Sequence, residues 1–428
     1  MSLQFITGNS GNGKTKYLFN RIVKEAKANP RDNYLVIVPE QFTMQTQRQL
    51  VDLSENKAIM NIDVLSFKRL AYRVFDELGI TNLTVLEETG KNLVLRKLAA
   101  QEADKLGIIG RNLNRIGYIS EVKSLLSELV QYNISPEELG RYIASGRLSD
   151  TLSDKLKDVL VLYEAFEKFM QDKYITAEEI LNVLSNVAEE SAILRNSVIA
   201  FDEFTGFTPI QNQLIKKLFV ISKKIYVTLT IDCREDIFKS RGMQELFDMP
   251  KRTVKSLTEM AAFYGIEVEE PIILDKNYRL AENEELSFME QQLFRKRRCS
   301  FKKVPKHIHI DCLRDPKQEL TKIARRINEL VRNENLRYRD IAIVTGDVNI
   351  YAGYVREIFD KYNIPYFIDA TQEILFHPFI EFIRSIPDIA AQNFSADAVF
   401  RFLRCGFSEL SASEIAVSYT HLRAHETA

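Results

Sequence analysis

Apolar positions near the start of the chain come in short continuous runs separated by segments of helical spacing. LQFIT at 3–7 is one such run, and it enters a glycine-rich stretch. Lys14–Ala28 then repeats apolar residues at three and four, which predicts a helix. YLVIV at Tyr34–Val38 is apolar throughout, as expected of a central parallel strand covered on both faces. A helix is predicted from about Phe42 and a strand over Ile59–Leu65. Ser66 stands at the N-cap of the helical segment FKRLAYRVF. Strands alternating with helices argue for an α/β sandwich.

The period changes from about Val85 to Glu190. Leu156, Val159, Leu160, Tyr163, Phe166 and Phe169 step at helical intervals, and no strand is predicted there. The sheet pattern returns at SVIAFDEF, Ser197–Phe204, and at IYVTLTID, Ile225–Asp232. An extended piece near Val268–Leu274 and a helix ending in LFRKRRCSFKK follow. From His307 a second alternation begins. Strands are expected at HIHIDCL, Ile341–Thr345 and PYFID, with helices at Lys317–Val331 and Tyr351–Tyr362.

Composition narrows the class without naming a chemistry. The 428 residues are 45% hydrophobic and 27% charged, enough apolar mass for several cores. No apolar run approaches the ~20 residues of a membrane span, and MSLQFITG lacks the form of a secretory signal. A cytoplasmic protein without membrane contact is expected. A net charge of −1 excludes a globally basic nucleic-acid binder, so any such contact must be a local patch. The four cysteines form no C-x-x-C pair and are expected to be reduced and mostly packed. VSYTHLRAHETA, residues 417–428, continues no helical pattern and resembles translated sequencing-adapter sequence. It is expected to be a non-native, poorly packed tail.

The chemistry concentrates in two places. GNSGNGKT, comprising Gly8, Asn9, Ser10, Gly11, Asn12, Gly13, Lys14 and Thr15, fits the phosphate-loop pattern G-x-x-x-x-G-K-[ST]. Glycines let backbone N–H groups turn inward on a phosphate, and the following helix adds its positive end. Lys14 would reach the β and γ phosphates of ATP, and Thr15 would ligate Mg²⁺. FDEF, after the apolar run VIA, puts Asp202 and Glu203 at a strand end. There Asp202 could hold Mg²⁺ and Glu203 could orient the attacking water. A solvated acidic turn is the plain alternative. Positive charge is densest over Arg295, Lys296, Arg297, Arg298, Lys302, Lys303 and Lys306. This stretch suits either DNA phosphates or a solvated linker. Arg69 and Arg73 share a helix face beside Lys68, a second candidate DNA contact.

Several segments resemble superfamily 1 UvrD-like enzymes. FDEFTGFTPIQ resembles their second helicase motif, and LSFKRLAYRVF resembles their TFH-type, DNA-facing segment. LRYRDIAIVTGD, NIPYFID and HPFIEFIRS resemble the start of their second motor domain. With GNSGNGKTK and VPEQFT, the set from Leu3 to Ile415 is most similar to the AddB (RexB) family, partners of AddA in the AddAB helicase–nuclease that processes broken double-stranded DNA ends. The resemblance implies an α/β fold: a RecA-like P-loop domain over 1–85 and 191–294 with a large all-helical insertion at 86–190. A basic linker at 295–306 and a partial second RecA-like α/β domain at 307–416 would follow. It also implies an AddA motor as heterodimer partner and contact with DNA ends and single-stranded DNA. A nuclease domain and a 4Fe–4S cluster are implied only in a C-terminal part that this chain lacks. KNYR, Lys276–Arg279, resembles the motif whose arginine contacts the γ phosphate.

Departures from a working motor point to weak turnover. Seven residues precede Gly8, so no upstream glutamine motif is expected to grip adenine. The strand ending TLTIDCRED has no sensor glutamine. The expectation is an ATP-binding, helicase-like part with little or no helicase activity of its own. A non-enzymatic scaffold binding DNA and AddA, and a stand-alone phosphate-loop kinase, are the alternatives.

Overall fold

The computed structural model describes residues 1–80, 84–108, 110, 117–145, 148–171, 174–295, 299–370, 374 and 377–426. The chain divides into two compact units, Met1–Ile308 and His309–Ala428.

The first unit is built on parallel strands. β1 (Ser2–Gly8), β2 (Tyr34–Ile37), β3 (Ile62–Leu65), β6 (Val198–Phe201) and β7 (Lys224–Thr230) carry it, with short β8 (Glu267–Val268) and β9 (Ile272–Leu274). The order is β3-β2-β6-β7-β1-β8, with β9 also on β1, and every pairing is parallel. The apolar runs follow from coverage of both faces. Leu3, Phe5, Leu35, Ile37, Ile199, Phe201, Ile225 and Val227 point into one core, and Ile6, Val36, Ala200 and Tyr226 into the other. Helices α1 (Lys14–Ala28) and α2 (Thr43–Leu53) supply Leu18, Phe19, Ile22 and Leu50 to the second core. The first core is closed by α3 (Phe67–Leu78), α8 (Ile180–Val187), α9 (Pro209–Ile221) and α10 (Asp248–Phe263).

Local signals set the helix starts. Ser66 accepts the Arg69 N–H to cap α3, and Thr208 and Gln211 form a capping box ahead of α9 with Pro209 in its first turn. The extended piece near Val268–Leu274 is two short strands, both added to β1.

Between the sheet elements lies a helical part with its own core. It comprises α4 (Glu88–Gln101), α5 (Tyr118–Gln131), α6 (Pro136–Ala144) and α7 (Asp150–Met170). Two differences from the sequence reading appear here. A two-residue parallel pair, β4 (Val85–Leu86) with β5 (Ile175–Thr176), joins the chain where it leaves and returns. In addition α8, expected in the insertion, buries Ile180, Leu181 and Leu184 in the sheet's core. Its helical period was correct, but period alone does not say which core an apolar stripe enters. The first unit ends with α11 (Glu284–Gln292). Glu285 on α11 accepts the backbone N–H groups of Lys306 (2.6 Å) and His307 (2.8 Å), which ties the basic segment back to the unit.

The second unit contains α12 (Pro316–Asn333), α13 (Val348–Lys361), α14 (Pro378–Ala391), α15 (Ala396–Arg404) and α16 (Ala412–Glu426). Leu320, Ala324, Ile327, Ile358, Phe359 and Ile364 form its core. The strands expected at 307–313, 341–345 and 365–369 are not formed, and no strand is present among the described residues of this unit. The last two segments line an apolar groove of about 860 Å³ with α12 and α13, and Val344 and Phe367 stay 93% and 89% exposed. Such runs become strands only where a neighbour completes their hydrogen-bond ladder, and here none does.

Two smaller expectations also fail. Residues 417–426 continue α16 instead of fraying, and the Tyr419 ring packs edge-on against Phe400 beneath the Arg404 guanidinium. Cys299 and Cys312 are exposed, so only Cys233 and Cys405 are partly packed. No helix among the described residues is long and apolar enough to cross a membrane.

Phe67 is the hinge of the core beside the FDEF turn: it stacks on Phe201 at 5.8 Å and meets Phe204 and Phe207 edge-on at 5.5 and 6.3 Å. Phe67→Ala is expected to destabilise the chain by about 3–5 kcal/mol, read as a lowered urea midpoint relative to the parent.

Candidate functional site

The parallel sheet brings the C-terminal ends of β1, β6 and β7 to one edge, and the residues with chemistry stand there. Gly8 ends β1, and the glycine-rich loop leads directly into α1. Two glycines are required by close approach. A Cβ on Gly8 would lie 2.6 Å from the Leu274 carbonyl oxygen. One on Gly11, at φ 89°, would lie 2.7 Å from Asn277 Oδ1. No side chain caps α1, and its first turn carries no acidic residue, which leaves its positive end for an anion.

Lys14 folds over the loop, and its Nζ donates to the carbonyl oxygens of Gly8 and Asn9 at 3.0 Å each. Burial holds its ammonium below the ordinary lysine pKa. Glu203 and Asp202 oppose that shift, and the like charge of Arg279 adds to it. Asn12 donates to the Leu274 carbonyl at 2.6 Å and Asn9 to Glu290 at 2.6 Å, so the loop is fastened from both sides.

Asp202 follows β6 and is 1% exposed. Its Oδ1 accepts from the Thr228 hydroxyl and from Thr15 Oγ1 at 3.3 Å. Its Oδ2 is buried with no hydrogen-bond partner among the described residues. Burial raises its pKa, with the neighbouring Glu203 carboxylate adding to the rise. Glu203 has φ 63°, a left-handed conformation uncommon for a non-glycine residue, and its Oε1 lies 3.4 Å from Thr15 Oγ1. A buried carboxylate oxygen without a partner, beside a hydroxyl and a second carboxylate, is the hard oxygen set that Mg²⁺ prefers. The residues present fit that ion.

These groups line a cleft of about 790 Å³ together with Phe19, Gln49, Thr230, Tyr278 and Arg279. Arg279, drawn from the KNYR segment after β9, donates from Nη1 to Ser10 Oγ at 3.3 Å. Thus Gly8–Thr15, Asp202, Glu203 and Arg279 are brought together. Sequence reasoning missed Thr228 and Asn277. Thr228 was visible only as a polar residue inside the apolar run IYVTLTID, and it is 3% exposed against Asp202.

The candidate DNA contacts stand elsewhere. Lys68, Arg69 and Arg73 are on the exposed face of α3. Arg69 Nε is 3.1 Å from Glu40 and Arg73 Nε is 3.9 Å from Asp63. Arg295 is a packing residue: its guanidinium donates to Asp232 at 2.6 Å and covers the Phe247 ring at 5.1 Å. Burial works to raise the Asp232 pKa, but Arg234 and Arg295 hold it below the usual carboxylate value. Lys296, Arg297 and Arg298 lie outside the described residues.

Comparison with known proteins places this arrangement in a family. The family model described as ADDB, N-terminal, matches residues 5–290. The AddB-type chain of the ATP-dependent helicase/deoxyribonuclease of Lachnoclostridium phytofermentans is 38% identical over 420 residues, covering 97% of this chain and 36% of the relative. The proteins of the same name from Clostridium tetani and Caldanaerobacter subterraneus are 32% and 33% identical, covering 99% and 97% of this chain and 37% and 36% of theirs. The chain thus spans little more than a third of the length of the curated relatives it matches. With the glycine loop, the strand-end carboxylates and the arginine strap all inside or beside the matched region, the chain belongs to the AddB N-terminal family.

Proposed function

We propose that this chain is the nucleotide-binding, helicase-like part of an AddB protein that works with a motor partner, AddA, on DNA ends in recombination and repair. Its relatives are named as parts of an ATP-dependent helicase/deoxyribonuclease, which supports the ATP dependence and the shared assembly. The first unit is read as a RecA-like domain. The strand order supports this, because β7 lies between the loop strand β1 and the carboxylate strand β6. The nuclease domain and 4Fe–4S cluster belong, in this reading, to the part of the longer relatives outside this chain, and the protein works in the cytoplasm.

The observation that carries the proposal is the meeting of Thr15 with Asp202 beneath the loop, with Lys14 and Arg279 above it. Thr15 and Asp202 would hold Mg²⁺, which when bound with ATP would neutralise charge on the phosphate oxygens. Lys14 exchanges the Gly8 and Asn9 carbonyls for the β and γ phosphates. Glu203, held at the cleft by its left-handed turn, orients a water toward the γ phosphate and accepts its proton. Arg279 faces the γ phosphate, where an arginine contributes about 10³–10⁵ in rate when correctly placed.

The second reading, a binding scaffold that turns over slowly, is favoured by one feature of β7. Its buried polar residue, Thr228, is committed to Asp202, and no glutamine stands at that strand end to sense the γ phosphate. The two readings share the site and differ in rate.

Lys14→Ala is expected to weaken ATP·Mg²⁺ binding roughly 10- to 100-fold, the range for hydrogen bonds to a charged group, measured by titration with a fluorescent ATP analogue. Unchanged affinity would mean that the loop does not bind nucleotide.

Steady-state phosphate release by this chain is expected to stay slow with saturating single-stranded DNA, and no strand displacement is expected. Strong DNA-stimulated turnover eliminated by Glu203→Gln would instead show a complete hydrolytic site.

A further inference from the structure

The cleft's arginine comes from a segment remote in sequence, so something must fix it there. We propose that Asn277 is the positioning residue that fastens Arg279 to the glycine loop, and that through it the site distinguishes a nucleoside triphosphate from a diphosphate. The inference rests on the nucleotide-binding reading above.

Asn277 uses both ends of its amide. Its Nδ2 donates to the Ser10 carbonyl at 3.0 Å. Its Oδ1 accepts the backbone N–H groups of Arg279 and Leu280, each at 3.1 Å. The network fixes the amide's orientation, because a flipped side chain would set its NH₂ against two N–H donors. One residue therefore folds the 277–280 turn and attaches it to the loop. The backbone completes the attachment: the Gly11 carbonyl accepts from Tyr278 N at 3.0 Å and Arg279 N at 3.4 Å.

The contact is close enough to exclude any side chain on the loop. A Cβ on Gly11 would fall 2.7 Å from Asn277 Oδ1 and 2.8 Å from Arg279 Cβ. Gly11 thus serves the strap as well as the phosphate. Ser10, whose carbonyl Asn277 holds, also accepts from Arg279 Nη1 through its hydroxyl. The arginine is consequently fixed at its backbone and steadied at its tip, while its side chain remains exposed to the cleft. A long, flexible cation loses less freedom on binding when its backbone is already held.

Lys14 and the loop amides serve any β phosphate. Arg279 adds a second cation on the opposite side of the loop, which only a longer polyphosphate reaches together with Lys14. Removing Asn277 frees the turn but leaves Lys14, Thr15 and the α1 N-terminus in place. The loss falls on the triphosphate.

The test is a double-mutant cycle on this chain with ATP and ADP as probes, each with Mg²⁺. Affinities are measured for the parent, Asn277→Ala, Arg279→Ala and the double variant, with melting curves for each. Arg279→Ala is expected to lower the ATP-over-ADP preference about tenfold, and Asn277→Ala about fivefold, near the effect of one net hydrogen bond. ADP affinity is expected to stay unchanged. The double variant is expected to be no worse than Arg279→Ala, since both act through one group. If Asn277→Ala does not fold, Asn277→Ser, whose hydroxyl still accepts from the turn, is expected to give an intermediate preference. An unchanged preference, an equal loss for both nucleotides, or additive effects would overturn the role of Asn277 while leaving nucleotide binding intact. A parent that binds neither nucleotide would overturn both readings.

Discussion

A buried carboxylate meeting a hydroxyl across the end of a parallel sheet is the contact on which the site depends. Asp202 is almost wholly excluded from water, and only Thr228 and Thr15 reach one of its oxygens. A charge so placed is costly unless something compensates it. The compensation must come from the cleft, because the strands around it are apolar. The sheet order makes this possible: β7 supplies Thr228 between the strand that carries the loop and the strand that carries Asp202. Reversing any of these strands would remove its end from the cleft.

The same contact connects the cleft to the body of the first unit. Asp202 and Glu203 sit between Phe201 and Phe204, and these rings pack with Phe207 on Phe67, the first residue of α3. Close-packed aromatic rings do not deform continuously. A change in the left-handed turn at Glu203 therefore meets a rigid cluster, whose other side is the start of the helix bearing Lys68, Arg69 and Arg73. Those cations point to solvent, two of them beside carboxylates. Exposed pairs of that kind contribute little to stability.

The second unit illustrates a different constraint. Its helices α12 and α13 close a small core, yet the extended segments beside them leave Val344 and Phe367 almost fully exposed. The β-rich composition of IAIVT and PYFID is a preference for a pleated, half-buried surface. Without paired neighbours the preference is not realised, and the segments remain extended walls of a groove.

What the sequence determined by itself was the set of elements whose signals are local. The strand runs at 3–7, 34–38 and 198–201, the caps at Ser66 and Thr208, the glycine loop and the carboxylates at 202 and 203 were all legible. Each is written in contiguous residues: apolar runs, capping spacing, or a motif whose parts lie within one turn. Tertiary structure decided the rest. It assigned α8 to the sheet's core, withheld strands from the second unit, extended α16 through the residues set aside as a tail, and turned Arg295 from a candidate DNA contact into the partner of Asp232. It also brought Asn277 and Arg279 onto a loop some 270 positions away, through hydrogen bonds to Ser10 separated by 267 and 269 residues. Pairing, core membership and ion partners depend on which distant segment lies alongside, and no periodicity within a window records that.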